Sequence, residues 1–235
     1  MFARAFKKGV DLARTEFTYS HHKPRRVLFD HLPKCAGNTI ATYLKGHFPR
    51  RLVFQTDSRE SAKSVEAFRA LPQRTRFHYQ LIVGHLTHDL LDFIHPDTIT
   101  MTVLREPIDR MISHYYFVKQ DNRNYLHDQV VKSAISLEDY ANSKLSDEIQ
   151  NWYTTHFTGL TADEVDSNPD EALRLAAQIV RERYDIVGFQ DDLTYAAEQL
   201  KKAANLSQPF VNVVRNSTLG RVGVREIAGS AKNAI

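Results

Sequence analysis

The chain has 235 residues, 42% of them apolar and 25% charged, which suits one globular domain and excludes a disordered chain. Its 31 basic and 28 acidic residues give a net charge of +3, too small a surplus to argue for nucleic acid as a partner. The single cysteine, Cys35, excludes an internal disulfide framework and a multi-cysteine metal site, and fits a reducing compartment such as the cytoplasm.

Arg4, Lys7, Lys8, Asp11 and Arg14 interrupt the first twenty residues, so these match neither a signal peptide nor a transmembrane segment. No other apolar run approaches the roughly 18–20 residues that a span needs. Phe2, Phe6, Val10 and Ala13 fall on one face of a basic amphipathic helix over 2–17. Such a helix either makes a peripheral membrane contact or packs as a terminal helix, the commoner outcome. The reading is a single domain over 1–235, with 1–24 as an N-terminal extension and 220–235, rich in Gly, Ala and Ser, as a mobile tail.

Beyond the extension, short β-branched or aromatic runs alternate with segments whose apolar residues recur every three or four positions. The runs predict strands at 27–30, 52–55, 81–84, 99–104 and 186–189. The periodic segments predict helices at 38–47, 61–70, 107–118, 137–142, 147–157, 169–183 and 192–204, with exposed loops at 121–124 and 161–168. This order predicts an α/β fold, a three-layer P-loop-like domain with a central parallel sheet and a helical second half. Basic clusters at Lys7 and Lys8, at Lys23, Arg25 and Arg26, and at Arg50 and Arg51 suit an anionic ligand, although solvated surface is the commoner meaning of each.

The strongest local signal is VLFDHLPKCAGNTI, from Val27 to Ile40: an apolar strand, a turn with small residues, then a helical pattern. Ala36 and Gly37 let backbone N–H groups approach an oxyanion, the helix presents its positive end, and Lys34 adds a mobile charge. Asn38 and Thr39 can cap that helix or donate to a phosphate. The lysine precedes the glycine and no Gly-Lys-Ser/Thr triplet follows, which separates the segment from the Walker pattern. An ordinary capped strand-to-helix turn is the alternative.

A second strand-to-helix transition is TMTVLREPIDRMISHY, from Thr100 to Tyr115, in which Pro107 suits the first helical position. Arg105 then stands at the carboxyl end of a strand, where open α/β sheets bind ligands, and Ser113 lies about two turns into the helix. Both can reach one phosphate. The alternative pairs Arg105 with a nearby acid and bonds Ser113 back to a helix carbonyl. His85, taken alone, reads as a packed or capping histidine. His85 and His88 have the spacing of a metal pair on a helix, but no third ligand follows at a recognisable interval, so no metal is expected.

Together these segments resemble the sulfotransferases that use 3′-phosphoadenosine 5′-phosphosulfate (PAPS), in particular the branch containing heparan sulfate 2-O-sulfotransferase and its bacterial relatives. Pro33-Lys34-Cys35-Ala36-Gly37-Asn38-Thr39 is similar to that family's 5′-phosphosulfate loop. Leu104-Arg105-Glu106-Pro107 through Ser113-His114-Tyr115 is similar to its 3′-phosphate motif, whose Arg and Ser stand eight positions apart, as Arg105 and Ser113 do. Weaker matches at Gly84-His85, 151–159, 185–189 and 212–215 extend the likeness over most of the chain. Thr154-Thr155 stands where relatives often carry Thr-Arg, and Gly188-Phe189-Gln190-Asp191 matches only loosely.

The resemblance implies transfer of a sulfuryl group from PAPS, without a metal, to a hydroxylated acceptor, a saccharide or glycolipid. It implies His85 as general base and Lys34 as a catalytic charge. Lys34, Cys35, Ala36, Gly37, Asn38, Thr39, Arg105, Ser113 and Arg215 are the implied donor-binding residues. Tyr115, Tyr116, Phe117, Tyr125, Trp152 and Tyr153 read as core or cleft wall rather than as a sugar-stacking platform. Two other classes stay open: a P-loop kinase of a small molecule, which needs ATP and Mg²⁺, and a catalytically silent carbohydrate-binding relative.

Overall fold

The structure, a computed structural model, describes residues 23–212. The expected helix over 2–17, the tail at 220–235 and Arg215 lie outside the described residues. In chain order the first part runs β1 (Val27–Asp30), α1 (Gly37–Lys45), a 3-10 turn at Arg50–Leu52, β2 (Val53–Gln55), α2 (Ser61–Ala70), α3 (Gln73–Arg76) and β3 (Leu81–Gly84). A 3-10 turn at Thr87–Leu90 leads to β4 (Ile99–Leu104) and α4 (Pro107–Gln120). The helical stretch holds α5 (His127–Lys132), α6 (Leu137–Ala141), α7 (Trp152–Thr158), α8 (Ala162–Ser167) and α9 (Pro169–Arg183). The chain then forms β5 (Ile186–Phe189), a 3-10 turn at Gln190–Asp192, and α10 (Leu193–Ala204).

The five strands form one parallel sheet in the order β2-β3-β1-β4-β5. All four residues of β1 are buried, the unbroken apolar run of a strand covered on both faces, with Asp30 as its one charged member. Alternation sends Val27 and Phe29 to one face, under α1 and α10, where Ile40, Leu44, Ala197 and Leu200 pack. Leu28 goes to the other, with Ile82 of β3 and with Val65 and Phe68 of α2. Helix, sheet and helix make the three layers, and the fold class expected from the sequence holds. The helical stretch has its own core around Met111, Tyr115, Val130 and Tyr140.

Four expectations change for physical reasons. Leu52 belongs to the 3-10 turn and not to β2. The helix expected from 147 starts at Trp152, because Asn151 is left-handed at φ 49° and breaks the run. The expected loop at 161–168 is helix α8, begun by a capping box in which Thr161 and Glu164 satisfy each other's backbone N–H groups. Asn38 and Thr39 do not cap α1; the capping position is Ala36, which has no side-chain acceptor to offer.

The sheet order decides where a ligand can sit. From β1 the chain crosses toward β2, while from its neighbour β4 it runs the other way toward β5. The two connections part at the carboxyl ends of β1 and β4, and that divergence opens the crevice.

Candidate functional site

The turn after β1 is shaped for close backbone approach. Lys34 and Ala36 are both left-handed, at φ 68° and 59°, an alternation that turns successive amides toward one point. Gly37 is obligatory, because a Cβ there would lie 1.8 Å from the His31 ring. No side chain caps α1, and within its first turn Thr39 N donates to Ala36 O at 3.1 Å. Cys35 points inward, its Sγ 3.2 Å from the Tyr153 hydroxyl, and burial pushes its thiol pKa up. Only the backbone of Cys35 is left to the outer side of the turn.

Arg105 joins this turn to the second motif. Its Nη1 donates to Lys34 O at 2.9 Å, and its Nε and Nη2 each lie 2.6 Å from Asp109 Oδ2. The Tyr153 hydroxyl accepts from Arg105 N at 3.0 Å and donates to Arg105 O at 2.8 Å, pinning the main chain just where β4 ends. Arg105 is therefore paired with an acid, one half of the alternative raised by the sequence. Along α4, Asp109, Ser113 and Phe117 recur every four residues and so share a face. Asp109 touches Arg105, and Phe117 carries the Lys34 ammonium 3.9 Å above its ring. Ser113, 5% exposed, shares that face of α4, and the Arg105 bond to Lys34 O brings the two motifs together at the switch point.

His85 reaches the same region from β3. It follows Gly84 at φ 138°, where a Cβ would meet Thr56 Oγ1 at 2.1 Å, and precedes Leu86, left-handed at φ 60°. His85 Nδ1 lies 2.6 Å from His31 O. A carbonyl oxygen can only accept, so Nδ1 carries a proton, and in the tautomer this bond selects Nε2 holds the lone pair. The His31 ring lies 4.5 Å from that of His85. Burial, with the His85 charge adding to it, holds the pKa of His31 down to about 3, so His31 stays neutral. His88 does not converge on His85; its Nδ1 lies 2.9 Å from the Tyr184 hydroxyl.

Sequence reasoning missed the polar network beneath the turn. Asp30, fully buried at the end of β1, accepts from Tyr184 OH at 2.7 Å and lies 2.9 Å from His156 Nε2. Its other carboxylate oxygen accepts from His88 N at 3.2 Å. Burial raises the Asp30 pKa, but the His156 charge and the hydrogen bonds from His156 and Tyr184 outweigh it and bring the net value below the ordinary range. The signal for Asp30 was a lone carboxylate ending an apolar strand; its partners, 126 and 154 positions away, left no local trace. Beside the cleft, His114 Nε2 pairs with Glu148 Oε2 at 2.9 Å, and Arg110 donates to Glu148 O while stacking over Trp152. Of the six aromatics considered from sequence, Tyr115 is core, Tyr153 bonds Arg105 and Cys35 with Trp152 packed against it, and Tyr125 is exposed.

A model of the protein family described as Sulfotransferase family matches residues 16–221. That span takes in both strand-to-helix turns, the His85 turn, the helical stretch and Arg215. No curated protein matches the chain.

Proposed function

The chain belongs to the sulfotransferase family, and from that premise we propose that it moves a sulfuryl group from PAPS to a hydroxyl of a saccharide or glycolipid. The observation that carries this reading is the 2.9 Å bond from Arg105 Nη1 to Lys34 O, which ties a phosphosulfate-type turn to an Arg/Ser phosphate motif 71 positions away.

In this reading the amides of the 34–39 turn and Lys34 face the 5′-phosphosulfate, while Arg105 and Ser113 take the 3′-phosphate, with Arg215 contributing further donor contact. Asp109 must release the Arg105 fork when the phosphate arrives, exchanging one oxyanion partner for another. Lys34 leaves the Phe117 face for the same reason. His85 Nε2 takes the proton of the acceptor hydroxyl, whose oxygen attacks sulfur. The bond between sulfur and the bridging oxygen breaks, and adenosine 3′,5′-bisphosphate departs with the charge that Lys34 and the start of α1 stabilise.

The choice of donor is tested by titrating adenosine 3′,5′-bisphosphate and adenosine 5′-monophosphate into the wild type and Arg105→Ala by calorimetry. Hydrogen bonds to charged groups contribute about 1.5–3 kcal/mol each, so the variant should bind the bisphosphate roughly tenfold to a hundredfold more weakly and the monophosphate nearly unchanged. A wild type without preference for the bisphosphate, or a variant that keeps it, sinks the assignment. Incubation with labelled PAPS and a panel of glycans then tests transfer: label on a glycan supports the activity, and glycan binding without bisphosphate release marks a silent relative.

A further inference from the structure

Lys23, Arg26, Arg51, Arg74 and His78 meet at the end of the sheet opposite the site above, around a cavity of about 490 Å³. The sequence had left Arg26 and Arg51 in separate clusters that read as solvated surface. Folding puts them side by side because both precede strands: Arg26 enters β1, and Arg51 lies in the turn that enters β2. The floor is stitched backbone, with Gln80 N donating to Leu52 O at 2.8 Å and Val27 N donating to Gln80 O at 2.9 Å.

Two features single this cavity out from ordinary basic surface. Arg26 Nη2 donates to Phe77 O at 3.1 Å, yet Arg26 Nε is buried without a partner. An orphaned guanidinium donor is costly, and an incoming oxyanion removes the cost. Further, among the described residues no Asp or Glu lines the cavity, and none of its four Lys and Arg side chains makes a salt bridge. Four positive charges in one concavity exceed the +3 of the whole chain. Their mutual repulsion favours a multiply charged ligand over a single carboxylate.

We propose that this cavity is a second anion site, one that takes a phosphate or sulfate ester group. It is separate from the switch-point site: the four residues of β3 alone, at roughly 3.3 Å per residue, put about 13 Å between the cavity and His85. The proposal does not rest on the identity of the sulfuryl donor.

The test is calorimetric titration of the full chain in an Arg105→Ala background, which removes the guanidinium of the switch-point site from the comparison. Inorganic pyrophosphate, a heparin-type sulfated tetrasaccharide, and vesicles of phosphatidylglycerol with phosphatidylcholine are the three probes. Pyrophosphate or the tetrasaccharide should bind, more weakly as salt rises, and Lys23→Gln/Arg51→Gln/Arg74→Gln should lose at least tenfold in affinity. Whichever soluble probe binds more tightly identifies the phosphate or the sulfate source. These three residues are exposed, so circular dichroism should match the parent. Should the triple variant lose its fold, each single variant is titrated, with at least a twofold loss expected. Equal affinity in parent and variants, or no binding of either soluble probe, overturns the proposal. Binding confined to vesicles overturns it in favour of a flat lipid contact.

Discussion

His85 depends on neighbours that do no chemistry themselves. The His31 carbonyl selects the tautomer that leaves Nε2 free, and Gly84 gives the turn a conformation closed to other residues. In the proposed mechanism His85→Ala therefore lowers kcat by about 10²- to 10⁴-fold, the usual worth of a general base, while bisphosphate affinity stays within about twofold. Unchanged turnover removes His85 from the reaction. Gly84→Ala adds a Cβ at a left-handed position, 2.1 Å from Thr56 Oγ1, so Thr56 must shift and His85 with it. We expect a loss of about 1–3 kcal/mol in urea unfolding together with lower turnover; a variant of wild-type stability would show that the turn adapts. Lys34 and Arg105 were singled out in the sequence because each stands beside a strand end or a small-residue turn, and Ser113 because it follows Arg105 by eight positions. His31, Asp109 and Tyr153 were not, because their roles arise from what folding places against them.

At the scale of elements, β1 carries the pin that secures the helical stretch. Asp30 holds His156 of α7 at 2.9 Å and, through Tyr184, the approach to β5 at 2.7 Å, just where β1 gives way to the 31–36 turn. Removing one partner from a buried charge leaves the other uncompensated, typically at about 3–5 kcal/mol. His156→Ala should fall in that range at neutral pH, and Tyr184→Phe, which removes one hydrogen bond, at about 1–3 kcal/mol. Urea unfolding followed by circular dichroism checks both, and losses below about 1 kcal/mol for His156→Ala would show that the pair is not the pin. Strand positions were readable from apolar runs, since β1, β3, β4 and β5 begin and end where the sequence places them. The helical stretch was read less well. Its polar 161–168 segment resembled a loop, and only the Thr161 to Glu164 spacing held the sign of a helix start.

For the whole molecule, the buried titrating groups fix how acid unfolds it. Burial and the neighbouring His85 charge hold His31 down to about 3, from an ordinary value of 6.5. Burial also lowers His88, against the pull of Asp30. The folded state therefore excludes protons that the unfolded chain accepts below 6.5, so stability is complete above that pH and falls as pH drops through it. Each such histidine contributes a slope of up to about 1.4 kcal/mol per pH unit. The carboxylates enter later. Burial raises Glu148 as it does Asp30, but the His114 hydrogen bond and charge bring it below 4.5, as the partners of Asp30 bring that group below 3.8, so their stabilisation is lost only at still lower pH. Unfolding free energies measured from pH 8 to pH 4 should hold level to about 6.5 and then decline, before Asp30 and Glu148 titrate. His31→Asn should flatten the decline whatever it does to absolute stability, because the ring whose protonation the fold excludes is gone. A wild-type curve level down to pH 5, or a variant with the wild-type slope, would place the acid sensitivity elsewhere than in these half-buried rings.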